Sequence, residues 1–140
     1  MREIIFRAKV KDKNELIGKG FRIDENGNLK SEWVFGVPIP HYPDLFLAWN
    51  EACNEYEEVT IIPETIGECV NVSDKNGKKI FEHDIVRIYV DLTTMQYVIS
   101  YDKENARFVV GDTSFTFWSY ISTKIEVIGN IHDNSELLQD

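Results

Sequence analysis

Ser73-Asp74-Lys75-Asn76-Gly77-Lys78-Lys79-Ile80-Phe81-Glu82-His83-Asp84-Ile85-Val86 is the stretch whose reading decides the fold. Asn76 and Gly77 tolerate the positive φ that a tight hairpin needs at its centre, so residues 74–77 read as a turn. Lys78 to Phe81 can then run extended. The polar step Glu82-His83-Asp84 breaks the run, with Asp84 expected to accept backbone N–H bonds there. Ile85-Val86-Arg87-Ile88-Tyr89-Val90 follows as a β-branched and aromatic strand interrupted by Arg87. Asp74, Asn76, Gly77 and Asp84 are therefore expected to be structural turn residues.

The rest of the chain repeats this rhythm. Upstream, residues 3–10 read as a strand, 12–15 as a polar turn and 16–23 as a strand weakened by Gly18 and Gly20. A second Asn-Gly turn at 24–28 leads into a strand over 29–37, with Trp33 and Phe35 on one face and Val34 on the other. Pro38, Pro40 and Pro43 end its pairing. Residues 44–58 read two ways. Asp44 could cap a helix carrying Leu45, Leu47, Ala48, Ala52 and Tyr56. Alternatively, 46–49 is a strand that turns at 51–54 and returns through 59–62. The local pattern favours the helix.

Downstream, 66–72 runs into the 74–77 turn, and 85–92 is the strongest strand. Residues 97–101 pair with it across 93–96, 102–105 turn the chain and 107–110 return. Phe115-Thr116-Phe117-Trp118 is expected to pack on the core. Residues 125–131 close the fold, with Gly129 marking a bulge or a close approach. Short strands with turn signals every ~8–12 residues predict a mainly β fold. The expectation is of small barrel-like or SH3-like antiparallel sheets with at most short helical segments. Two halves, 1–66 and 67–140, would form one unit.

A chain of 140 residues that is 43% hydrophobic can bury a domain-sized core. Arg2, Glu3, Arg7 and Lys9 interrupt the N-terminus, and no apolar stretch reaches spanning length, so the expectation is a cytoplasmic protein with no membrane partner. Cys53 and Cys69 lack CxxC spacing and are expected to be buried or idle thiols.

The net charge of −9 has a single origin. Residues 31–74 hold nine acids and no Lys or Arg, whereas the remaining 15 acids and 15 bases balance. That balance argues against a binder that relies on phosphate contacts, and favours either solubility or a basic partner. Glu51, Glu55, Glu57 and Glu58 are the candidate acidic surface. Lys75, Lys78, Lys79 and Arg87 form a basic cluster immediately after it.

No catalytic constellation stands out. GxSxG, HExxH and GxxxxGK[ST] are all missing from the sequence. His83-Asp84 and His132-Asp133 are adjacent pairs, which point to opposite faces of a strand and could ligate jointly only in a loop. The expectation is no catalytic residue, no cofactor and no metal. Trp33, Trp49 and Trp118 read as core, with an interface as the second reading.

The Asp74-Lys75-Asn76-Gly77-Lys78-x-Ile80-x-Glu82-x-Asp84-Ile85-Val86 core resembles the YopX family of phage and prophage proteins. Three further segments agree in order: Arg2 to Ala8, Pro63 to Gly67, and Glu126 to Asn134 with Leu137-Leu138. Family members usually carry Gly where His83 stands, and aromatic-Thr-Gly where Cys69-Val70-Asn71 stands. The resemblance favours the strand pair over 44–58. It implies a phage or prophage accessory protein in the bacterial host cytoplasm, without a settled activity, acting as a binding module. A homo-oligomer or an unknown host or phage protein is the expected partner. A nucleic-acid-binding small β-barrel and an acidic inhibitor of a basic host factor are the alternatives.

Overall fold

Phe46, Ala48 and Asn50 share one face of a strand, and Leu45, Leu47 and Trp49 the other. In the computed structural model the first set is fully buried, and Trp49 is exposed. The described residues are 5–21, 24–26, 28–90, 92–111 and 124–138. They form β1 (Phe6–Lys9), α1 (Lys13–Gly18), β2 (Trp33–Pro38), β3 (Leu45–Asn50), β4 (Glu55–Thr60), β5 (Gly67–Ser73), β6 (Lys79–Phe81), β7 (Asp84–Val90), β8 (Thr93–Asp102), β9 (Arg107–Val110) and β10 (Ile125–Asn130). Short 3-10 turns cover Pro63–Thr65 and Ser135–Leu138. The fold is mainly β with antiparallel sheets, but neither sheet closes into a barrel among these residues.

The chain divides into two compact units at Glu68/Cys69, inside β5. In the first unit, β4-β3-β2-β1 lie side by side, and the start of β5 pairs with β1 through Phe6↔Glu68 and Arg7↔Gly67. One face of this sheet forms a core of Ala8, Val10, Leu16, Val34, Phe46, Ala48, Val59 and Ile61. Each large aliphatic or aromatic side chain buried there stabilises the fold by about 1.5–3 kcal/mol.

Residues 44–58 form the β3–β4 hairpin. The helical pattern loses because the strand pair buries Phe46, Ala48 and Val59 on one side. The turn is held by Asn50, whose Oδ1 accepts from Ala52 N at 3.1 Å, and by Asn54 at φ 55°. The strand expected over 16–23 is not formed among the described residues: 16–18 belong to α1 and 19–21 are turn and irregular backbone. Asp12 Oδ1 accepts from Asn14 N at 2.9 Å, an N-cap that turns 12–15 from a polar turn into the first turn of α1. Leu16 faces the core and Glu15 Oε1 accepts from Thr60 N at 2.8 Å. Residues 22–23 lie outside the described set.

In the second unit, the later half of β5 pairs with β6, and a four-stranded sheet runs β10-β7-β8-β9. Its core is Val70, Ile80, Val86, Ile99, Val110 and Ile125. β7 and β8 stay in register from Ile85↔Val98 to Val90↔Thr93. The loop expected at 93–96 is therefore strand, and the connection is only two residues long, because Thr94, Met95 and Gln96 find partners in Tyr89, Ile88 and Arg87. The register between β10 and β7 shifts between Val127 and Gly129, the expected bulge. A Cβ on Gly129 would stand 2.6 Å from Asn134 Oδ1, so any larger residue would have to displace the side chain that accepts from Asn130 N. Phe115 to Trp118 fall outside the described residues.

Candidate functional site

The sheet of the first unit has a second face, and that face is open. It carries Arg7 and Lys9 from β1, Trp33, Phe35 and Val37 from β2, Leu47 and Trp49 from β3, and Tyr56 and Glu58 from β4, by strand alternation and register. Phe35 is 46% exposed, Val37 37%, Trp49 40% and Tyr56 59%. Trp49 and Tyr56 are opposite each other and pack edge to face, with centroids 5.0 Å apart. At the β1 end, the Arg7 guanidinium lies 4.8 Å from the Trp33 ring. Sequence reasoning gave Trp49 to the core. Its parity with Leu47 rather than Ala48 puts it on the open face, and this could be read only once β3 was known to be a strand.

The four acids of the candidate surface do not share one face. Glu58, opposite Leu47, stands on the open face, whereas Glu55 and Glu57 are opposite Asn50 and Ala48. Glu51 belongs to the hairpin turn and is exposed, like Glu55 and Glu58. The Lys19 Nζ donates to the Glu58 carbonyl oxygen. Cys53, Glu55 and Glu57 place a thiol and two carboxylates within 4.8 Å of one another at the hairpin tip. Cys53 is exposed and Cys69 buried, both free thiols.

The basic cluster is drawn into local interactions. The Lys75 Nζ sits 4.0 Å from the Tyr89 ring centroid, and Tyr89 Oη donates to Glu126 Oε1 at 2.6 Å. Glu126 is held below the usual carboxylate range, first by that hydrogen bond and then by the charges of Lys75 and Arg87. Arg87 stands opposite Glu126 across the β7–β10 pair. Lys78 and Lys79 are exposed.

Asp74 organises the turn beneath them. Its Oδ1 accepts from Asn76 N and Lys78 N at 2.9 Å each, and its Oδ2 accepts from Val127 N at 2.9 Å. Gly77 takes φ 82°. Burial alone would raise the Asp74 pKa, but the backbone bonds from Val127, Lys78 and Asn76 and the Lys78 charge together hold it below the ordinary value. Asp84, buried at 1% exposure, accepts from Phe81 N through Oδ2 at 2.8 Å.

His83 and Asn71 have φ of 76° and 63°. Both stand where the resemblance implied glycine, and both occupy glycine-type backbone. At Asn71 the β5–β6 register is interrupted between Cys69 and Ser73. At His83 the left-handed backbone turns the ring toward the loop after β10. His132 Nε2 lies 3.4 Å from His83 Nδ1, and the rings meet at 86°. Glu82 Oε2 lies 3.8 Å from His83 Nε2. The His132 loop is pinned by Asn130, whose Oδ1 accepts from the backbone N of His132 and of Asp133 at 3.0 Å. The two His-Asp pairs were visible in the sequence, but their meeting required the β7–β10 pairing.

No helix among the described residues is long and apolar enough to cross a membrane. No curated protein matches the chain. A family model described as YopX protein matches residues 5–139, nearly the whole length. The chain belongs to the YopX family.

Proposed function

We propose that this is a phage- or prophage-type accessory protein that works by binding, not catalysis, and that its binding surface is the open face of the β1–β4 sheet. The carrying observation is the exposed stripe of Phe35, Val37, Trp49 and Tyr56 on a rigid four-stranded support. Aromatic side chains presented on a sheet supply large contact area at low entropic cost, and Trp and Tyr dominate binding energy at interfaces.

The charge around that stripe favours a basic protein segment as its occupant. The bases of the face, Arg7 and Lys9, stand at its β1 edge, with Arg7 stacked on Trp33, whereas at the β3–β4 end Glu58 lies on the face, Glu51 and Glu55 at the hairpin, and residues 31–74 contribute no Lys or Arg. A second copy of the chain would bring the same acids together, which disfavours face-to-face pairing here. Nucleic acid is disfavoured for the same reason.

The test is capture from host lysate by three baits: the unaltered chain, the pair Trp49→Ala/Tyr56→Ala, and the reversal of Glu51, Glu55 and Glu58 to Lys. The reading expects one basic protein retained by the first bait, released by moderate salt, and lost from both variants. Equal recovery on all three baits overturns it. A light-scattering mass of two chains that falls to one in the aromatic variant would reassign the face to self-association.

A further inference from the structure

We infer that His83 and His132 form a two-imidazole binding site for a borderline divalent transition ion such as Zn(II) or Ni(II). The facing ring nitrogens are 3.4 Å apart. Two imidazoles on one tetrahedral ion, at Zn–N of about 2.0–2.1 Å, would place their nitrogens about 3.3–3.4 Å apart. The two rings already stand at the spacing of one coordination edge.

Their supports fit the same chemistry. A ligating imidazole must present a lone pair and carry its proton on the other nitrogen, and a nearby carboxylate fixes that tautomer. Glu82 Oε2 lies 3.8 Å from the outer nitrogen of His83, beyond hydrogen-bond reach, and its negative charge on that side favours the proton on Nε2, which leaves the Nδ1 lone pair toward His132. The bonds from Asn130 hold the backbone of His132 and Asp133 in place. The backbone at His83 adopts a conformation that non-glycine residues take at some energetic cost, and the side chain it presents is an imidazole aimed at a second one. Among the described residues no third His, Cys, Asp or Glu completes the set. The remaining positions therefore go to water or to a donor atom of another molecule. Imidazole-only coordination selects borderline ions over Mg(II) or Ca(II), which prefer oxygen.

The experiment is calorimetric titration of the untagged chain with Zn(II) and with Ni(II), alongside His83→Gly, His132→Asn and Cys53→Ser. Glycine adopts φ 76° freely, so His83→Gly keeps the backbone, and melting without metal checks that each variant is folded. The inference expects one ion per chain in the unaltered protein and in Cys53→Ser. Affinity should fall at least about 10-fold in each histidine variant. Ni(II) should broaden the ring signals of His83 and His132 and spare those of His41. Binding that survives both histidine substitutions, or that disappears with Cys53→Ser, places the ion at the hairpin tip and overturns the site. So does loss in only one histidine variant, or no binding at all.

Discussion

The two units handle exposed chemistry in opposite ways. The first keeps charged and apolar groups on its open face without covering the apolar ones: Phe35, Val37, Trp49 and Tyr56 remain accessible. The second closes its charges on one another, with Lys75 over Tyr89, Tyr89 bonded to Glu126 and Arg87 opposite Glu126. Charges satisfied within a fold contribute order and little recognition, because their fields are already spent on each other. Uncovered aromatic surface contributes little to stability and is available to a partner. On the proposed reading, recognition falls to the first unit, and the DKNG turn and its surroundings serve architecture.

The comparison breaks most sharply along β3. Phe46→Ala should destabilise the protein by about 3–5 kcal/mol in urea unfolding, through a core cavity. Trp49→Ala, three residues on but on the other face, should cost under about 1 kcal/mol by the same measurement and yet abolish partner capture. Similar losses for the two substitutions would show that the open face is covered in solution.

A second probe is Asp74→Asn, expected to cost about 2–3 kcal/mol, because a neutral amide cannot accept from Asn76, Lys78 and Val127 in the same way. The Asp74 pKa is lowered by folding. Its contribution is therefore full above the unfolded value near 4 and is lost as pH falls through the folded one. The gap between Asp74→Asn and the unaltered protein should narrow in acid, and a gap that stays constant down to the folded value would contradict the assigned bonds.

His83→Gly should stabilise the metal-free protein by about 1 kcal/mol, by relieving the left-handed backbone. A lower thermal midpoint in that variant would mean the imidazole packing outweighs the backbone cost. The smallest effect concerns nucleic acid. With Lys75 over Tyr89 and Arg87 facing the Glu126 charge across the β7–β10 pair, no mobility shift is expected with single- or double-stranded DNA at low salt. A retarded band lost on Lys78→Glu/Lys79→Glu would turn the comparison around.

Much of the architecture was legible because turns are local. Asn76-Gly77, the Gly129 bulge and the strand character of 85–90 follow from which residues tolerate positive φ and which pack well on a pleated surface. The helix at Lys13–Gly18 was legible in principle from Asp12 as a cap, but two glycines and a short apolar run favoured a weak strand. The hairpin at 45–60 was not decidable locally. Its apolar residues fit a helical period and a strand period about equally, and the choice rests on whether Phe46 and Ala48 find Val34 and Val59 to pack against.

The sequence by itself determined the mainly β class, the family, the turn chemistry around Asp74 and the confinement of all net charge to residues 31–74. Each depends on residue type and near neighbours alone. Tertiary structure decided which side of β3 is buried, that Glu55 and Glu57 part from Glu58, that Lys75 lies over Tyr89 and Arg87 opposite Glu126, and that His83 meets His132. These depend on register between strands far apart in the chain, where a slip of one residue exchanges the two faces.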